Sequence, residues 1–159
     1  MHLQIDKDFQ PMQLPAHRIP IVMQEKLEKE LDTLEQQGII VKVDVSTDWV
    51  SCVVVEQKKN RKLRVCLDLR PLNKALKRAH YPMPVVDDLL PCLSGAKVFS
   101  VCDLRSGFWH VALDDDSSVL TAFSTPFGRY RWLQLPFGIA PAPEIFRIDL
   151  KQHFQVLME

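Results

Sequence analysis

The spacing of apolar positions along the chain changes several times, and each change marks an element. From Pro20 the spacing is helical: Met23, Leu27, Leu31 and Leu34 fall on one face, Pro20 suits the first turn, and Gly38 suits the position just past the end. The run "GIIVKV" then predicts a short strand. Two β-rich runs, "WVSCVVVEQ" from Trp49 to Gln57 and "KLRVCLDL" from Lys62 to Leu69, flank "KKNR", which predicts a hairpin with a basic tip. "KALKRAHYPMP" predicts a basic loop, since its prolines stop a helix. "VVDDLLPCLSG" predicts a short helix limited by Pro91 and closed by Gly95. "KVFSVCDL" predicts a buried strand, and "LTAFSTPFGRYRWLQL" a second hairpin turning at "PFGR". From Pro143, the residues Ile145, Phe146, Leu150, Phe154 and Leu157 outline a final helical face.

Helices and antiparallel hairpins in mixed order predict an α+β domain. Residues 1–19 contain Pro11 and Pro15 and little periodicity, which predicts an extended arm before a domain spanning residues 20–159. A length of 159 residues suits a single domain with a real core, and 47% apolar with 25% charged residues excludes disorder. The formal net charge of zero argues against a generic polyanion binder but leaves room for local basic patches. Cys52, Cys66, Cys92 and Cys102 lack CxxC spacing and lie in or beside apolar runs, the pattern of reduced, buried thiols. The first residues contain no signal-peptide h-region, and no apolar run approaches the roughly 20 residues of a membrane span. An intracellular protein, cytoplasmic or nuclear, is expected.

Candidate chemistry begins at Asp103, which ends the predicted strand before "LRSGFWH". A carboxylate at a strand mouth is an oxygen ligand suited to Mg²⁺. Two-metal phosphoryl transfer needs further carboxylates around ions about 4 Å apart. Asp114, Asp115 and Asp116 lie nearby, but the polar "DDDSS" reads as an exposed, solvated turn. Arg64 alternates with Leu63 and Val65, beside Lys58, Lys59, Arg61 and Lys62. Such a cluster can clamp a triphosphate, or it can be a charged strand edge that resists aggregation. In "LPFGIAPAP", Gly138 permits a close backbone approach just before a helix, or serves an ordinary connection.

Several motifs in order resemble the reverse transcriptase of a gypsy-type long-terminal-repeat retrotransposon. They are "LDTLEQQGII", "WVSCVVVEQKKNRKLRVCLDLRPLNK", "YPMPVVDDLLPCLSGAKVFSVCDLRSGFWHVAL" and "TAFSTPFGRYRWLQLPFGIAPAPEIF". The resemblance covers residues 20–159 and implies the fingers and first half of the palm of a right-hand polymerase, with residues 1–19 as a linker from an upstream polyprotein. It implies RNA-directed DNA polymerase activity, with a primer–template of RNA or DNA and deoxynucleoside triphosphates as partners and no membrane. By position, Asp103 matches the first metal-binding catalytic aspartate. Arg64 matches the triphosphate-binding arginine, and Lys58 or Lys59 the lysine beside it. Gly107 matches a small residue near the triphosphate, and Phe108 the aromatic gate beneath the sugar. Phe137 and Gly138 match the loop beside the nascent base pair, while Asp68, Arg70 and Asn73 match the structural and template-contacting part of the fingers.

The sequence departs from the family pattern at Phe108, Trp109 and His110, where Tyr-His-Gln is usual, at Pro141, where Asn is common, and at Arg147, where Gln is common. The family's remaining catalytic aspartates follow the helix that begins near Pro143, so the rest of the palm, the thumb and the nuclease are expected to be missing from this chain. Mg²⁺ binding is then expected to be weak or absent, the isolated chain inactive, and apolar palm surface exposed. A domesticated nucleic-acid- or protein-binding module and a decayed gene product remain as alternatives.

Overall fold

A computed structural model describes residues 1–57, 63–78, 90–91, 94–98, 101 and 103–156. The helical spacing after Pro20 forms α1 (Ile21–Gln36), which buries Leu27, Leu31 and Leu34. Its end is closed from both sides of Gly38, which takes φ +68°. Gly38 N–H donates to Glu35 O at 3.0 Å and Ile39 N–H to Leu34 O at 2.9 Å. This paired closure satisfies carbonyls that the helix cannot, and the left-handed residue it requires favours glycine.

The chain then enters β1 (Ile40–Lys42). The first hairpin is β2 (Ser51–Gln57) and β3 (Leu63–Leu67), and the second is β4 (Phe123–Thr125) and β5 (Gly128–Trp132). They join in one five-stranded sheet of order β1-β5-β4-β2-β3. Both hairpins are antiparallel, whereas β2 and β4 run parallel through Ser51–Phe123 and Cys52–Ser124. One core lies between α1 and the sheet, with Ile40, Val53, Phe123, Tyr130 and Trp132 packed beneath the helix. A second core gathers Trp49, Leu69, Leu72, Leu135 and Ile139 around the start of the last helix.

Three short predictions are corrected. "KALKRA" does not begin as loop: Arg70–Ala75 forms α2, with Pro71 in its first turn. "DDDSS" is the start of a helix and not a turn, although Asp115 and Asp116 are exposed as expected. Asp114 caps α3 (Asp115–Leu120), its carboxylate accepting from Ser117 N–H at 2.8 Å, and Asp115 and Asp116 complement the positive end of the helix. Ser117 and Ser118 are buried, with their hydroxyls bonded to Leu3 N–H and Trp132 O. "KVFSVCDL" forms no strand among its described residues, and Val98 and Val101 are 83% and 94% exposed. A strand needs a ladder partner, and no described strand pairs with this segment. The predicted helix around Pro91 lies mostly outside the described residues, as do Cys92 and Cys102; Cys52 and Cys66 are free thiols.

The arm is extended and laced into the domain. Met1 bonds Ala112 O through its ammonium and Asp114 N–H through its carbonyl. Leu3 is buried, Ile5 bridges Leu76, and Gln13 bridges Val50. The last helix, α4 (Ala142–Val156), follows the "LPFGIAP" loop. Among the described residues no helix is long and apolar enough to cross a membrane.

Candidate nucleotide and template site

Asp103 lies in exposed coil and leads towards a tight turn. Ser106 takes φ 51° and ψ 45°, a left-handed conformation that costs a residue with a Cβ on the order of 1 kcal/mol or more. It turns the chain into a 3₁₀ turn at Gly107–His110. Gly107 abuts Phe146 of α4: a Cβ on Gly107 would stand 2.7 Å from Phe146 Cζ. Here glycine is required for space and not for a positive φ.

Three rings meet beside this turn. Phe108 lies 5.1 Å from Phe137, tilted by 56°, and 5.3 Å from Phe146 at 90°. An edge-to-face pair sets the positive edge of one ring on the negative face of the other. Trp109, next in sequence, lies 6.1 Å from Trp132 and 6.2 Å from Phe137. Trp109 is therefore absorbed by packing, although its indole N–H has no partner among the described residues. Phe137 keeps 41% of its surface exposed.

The loop carrying Phe137 is fixed from α2. Asn73 Nδ2 donates to Gly138 O at 2.8 Å, and Asn73 Oδ1 accepts from Ala140 N–H at 2.8 Å. Gly138 takes φ +96°, which any side chain would strain. On the same helix Arg70 turns back on Asp68, with Nε and Nη2 donating to the two carboxylate oxygens at 2.8 and 2.5 Å. This bidentate pair is the main reason the Asp68 carboxyl is held down at about pKa 2; burial opposes the shift. Arg70 remains largely exposed. Asp68, Arg70 and Lys74 border an open cleft of about 370 Å³ whose other walls include Phe9, Met12 and Trp49.

The structure thus brings Gly107, Phe108, Phe137 and Gly138 together and joins them to Asn73. Asp68 and Arg70 form a separate pair on the flank of α2. Arg64 stands opposite Glu56 in the β2–β3 register. Lys58, Lys59, Arg61 and Lys62 lie outside the described residues. Asp103 offers one carboxylate, and among the described residues no group of three or more His, Cys, Asp or Glu gathers as a metal site. Asp114 is occupied as a cap and Asp115 pairs with Arg131 at 3.1 Å. The described residues do not by themselves fit a two-ion site, which needs several carboxylates.

Two contacts were not read from sequence. The Gly107–Phe146 contact joins residues far apart in the chain, and its only local sign was a small residue before an aromatic pair. The Asn73 clamp had the known loop-forming tendency of Gly138 as its sign, but not the partner.

The five-stranded sheet with its two hairpins, and the aromatic and glycine turns packed against the last helix, are the architecture of part of a right-hand polymerase domain. Residues 56–159 match the family described as reverse transcriptase (RNA-dependent DNA polymerase), and the chain belongs to that family. It is 36% identical over 146 residues to the retrovirus-related Pol polyprotein from transposon 412 of Drosophila melanogaster, covering 89% of this chain and 12% of that protein. It is 41% identical over 100 residues to the enzymatic polyprotein of Cauliflower mosaic virus (strain Strasbourg), covering 63% of this chain and 15% of that protein. Among solved structures, the native prototype foamy virus protease-reverse transcriptase matches with a TM-score of 0.76 at 24% identity, covering 90% of this chain and 19% of that one. A foamy viral protease-reverse transcriptase in complex with an RNA/DNA hybrid matches with a TM-score of 0.70 at 21% identity, covering 89% and 19%. The partial right-hand polymerase fold and the likeness to a gypsy-type retrotransposon polyprotein, both expected from the motifs, are borne out.

Proposed function

We propose that residues 20–159 form the fingers and first half of the palm of a retroelement reverse transcriptase, with residues 1–19 as the arm that laces the two together. In the whole enzyme the reaction is attack of a primer 3′-hydroxyl on the α-phosphate of a deoxynucleoside triphosphate, with pyrophosphate leaving. This chain supplies the surfaces that hold the template and the incoming nucleotide. Arg64 with Lys58 and Lys59 takes the triphosphate, Phe108 stands beneath the sugar, Phe137 and Gly138 flank the nascent pair, and Asp68, Arg70 and Asn73 border the template. Asp103 contributes one carboxylate of a divalent-metal site that the described residues do not by themselves complete.

The observation that carries this reading is the meeting of Phe108 and Phe137, 5.1 Å apart, on a loop fixed by Asn73. Two segments distant in sequence then share one wall, with Phe108 five residues along the chain from Asp103. The test uses a dideoxy-terminated primer–template, which cannot be extended. The complementary deoxynucleotide should tighten the complex with this chain, and a mismatched one should not. Binding that is indifferent to complementarity contradicts the reading and leaves a generic nucleic-acid-binding module.

A further inference from the structure

Phe146 has no place in the nucleotide site so far described, yet it touches two of its members. Its ring tip occupies the space where a Gly107 side chain would stand, and the ring meets Phe108 edge to face at 5.3 Å. Phe108 is therefore held from two sides, by Phe137 at 5.1 Å and by Phe146. Phe137 is 41% exposed and belongs to a loop, whereas Phe146 is half-buried and belongs to a helix of 15 residues. The helical contact is the more rigid of the two, because a helical side chain is restricted to few rotamers and the backbone behind it is hydrogen-bonded. Gly107 completes the arrangement by letting the turn close onto the Phe146 ring without a Cβ between them.

We propose that Phe146 is a positioning residue for sugar selection: seated against Gly107, it sets the stance of the Phe108 ring and through it the preference for deoxy- over ribonucleotides. The proposal rests on the reading of Phe108 as the ring beneath the sugar. A ring that excludes a 2′-hydroxyl does so by position, and a shift of even a fraction of an ångström opens or closes that space.

The test compares dGTP with GTP in equilibrium binding to the chain on a dideoxy-terminated primer–template with cytosine at the templating position. The wild type should favour dGTP. Phe146→Leu should lower the dGTP/GTP preference by about threefold to tenfold, the range an aromatic edge contact supplies, mainly by admitting GTP and not by losing dGTP. Gly107→Ala drives a methyl into the Phe146 ring, and should lower the preference although Phe146 is retained. In the double variant the smaller leucine makes room for the methyl. Its loss should be no greater than that of either single variant, the mark of two residues acting through one contact. Thermal midpoints recorded alongside separate loss of fold from loss of selection. An unchanged preference in Phe146→Leu overturns the proposal while leaving the nucleotide site in place, and so do losses that simply add in the double variant. A wild type that binds neither nucleotide in a template-dependent way overturns the underlying reading, and this proposal with it.

Discussion

Asn73 and Gly138 are joined by a hydrogen bond of 2.8 Å from the Asn73 amide nitrogen to the Gly138 carbonyl, and the same side chain accepts from Ala140 N–H at 2.8 Å. One amide thereby satisfies a donor and an acceptor of a loop that has no secondary structure of its own. The sequence reading placed Asn73 among the template-contacting residues; here its side chain is engaged in holding the loop next to Phe108.

Removing that amide should loosen the loop. Asn73→Ala leaves the Gly138 carbonyl and Ala140 N–H to find other partners, at a cost of about 1–3 kcal/mol. Asn73→Asp keeps an acceptor for Ala140 but sets a carboxylate oxygen against the Gly138 carbonyl, so it should not restore the wild-type value. Urea unfolding followed by circular dichroism measures both. Stability within about 0.5 kcal/mol of wild type in both variants, the scatter of ordinary surface changes, would show that the clamp has no energetic role.

Acid sensitivity should trace partly to Asp68. The Arg70 guanidinium holds the folded-state carboxyl at about pKa 2, below the 3.8 of the unperturbed group. A group depressed in the folded state stabilises the fold above its unfolded pKa, and the contribution drains as pH falls through the folded value. The loss therefore falls between about pH 4 and pH 2. Asp114 is lowered too, burial opposing the shift while the bonds from Ser117 and His2 prevail, so it adds a slope of the same sign. Asp68→Asn should flatten the acid limb of a stability–pH curve without removing it. An identical limb in the variant would show that the Asp68–Arg70 pair does not couple to folding.

How much of this was legible in the sequence depends on the range of each interaction. Met23, Leu27, Leu31, Leu34 and Gly38 announce α1 and its closure because the period of the apolar face and the backbone bonds that close the helix are local, although the face itself packs on the distant sheet. Both hairpins were legible because each pairs neighbouring runs, the second turning at Pro126–Phe127 within "PFGR". In "DDDSS" the solvated reading holds for the exposed Asp115 and Asp116, but a polar run does not reveal that Asp114 caps a helix whose Ser117 and Ser118 are buried through bonds to distant residues. In "KVFSVCDL" the described residues form no strand, while Phe99, Ser100 and Cys102 lie outside the described residues; β propensity describes a residue's fit to a ladder and cannot supply the neighbouring strand. At the site, Phe108 and Phe137 were named separately; their contact, the Asn73 clamp and the role of Phe146 are tertiary, and no local period encodes them.

The exposed valines of that segment carry their own consequence. Val98 and Val101 are 83% and 94% exposed, with Leu104 at 44%. Apolar residues gathered in one exposed stretch favour association with another apolar surface. The chain should self-associate and bind an apolar dye, and Val98→Asp with Val101→Asp should reduce both. Sedimentation of the wild type as a well-behaved monomer that binds no dye would contradict this.

The proposed function, extended so that Lys58, Lys59 and Arg64 hold template phosphates as well as the triphosphate, is tested most directly by the salt dependence of primer–template binding. The wild type is compared with a variant carrying alanine at Lys58, Lys59 and Arg64. Each cation that neutralises a phosphate releases counterions, so log affinity falls linearly with log salt, and fewer cations give a shallower slope. With a net charge of zero, affinity should be modest, at dissociation constants of about 10⁻⁴–10⁻⁶ M. The account predicts a steep slope for the wild type and, for the variant, weaker binding with a slope smaller by about two to three. Absence of binding, or equal affinity and slope in the two proteins, would contradict it.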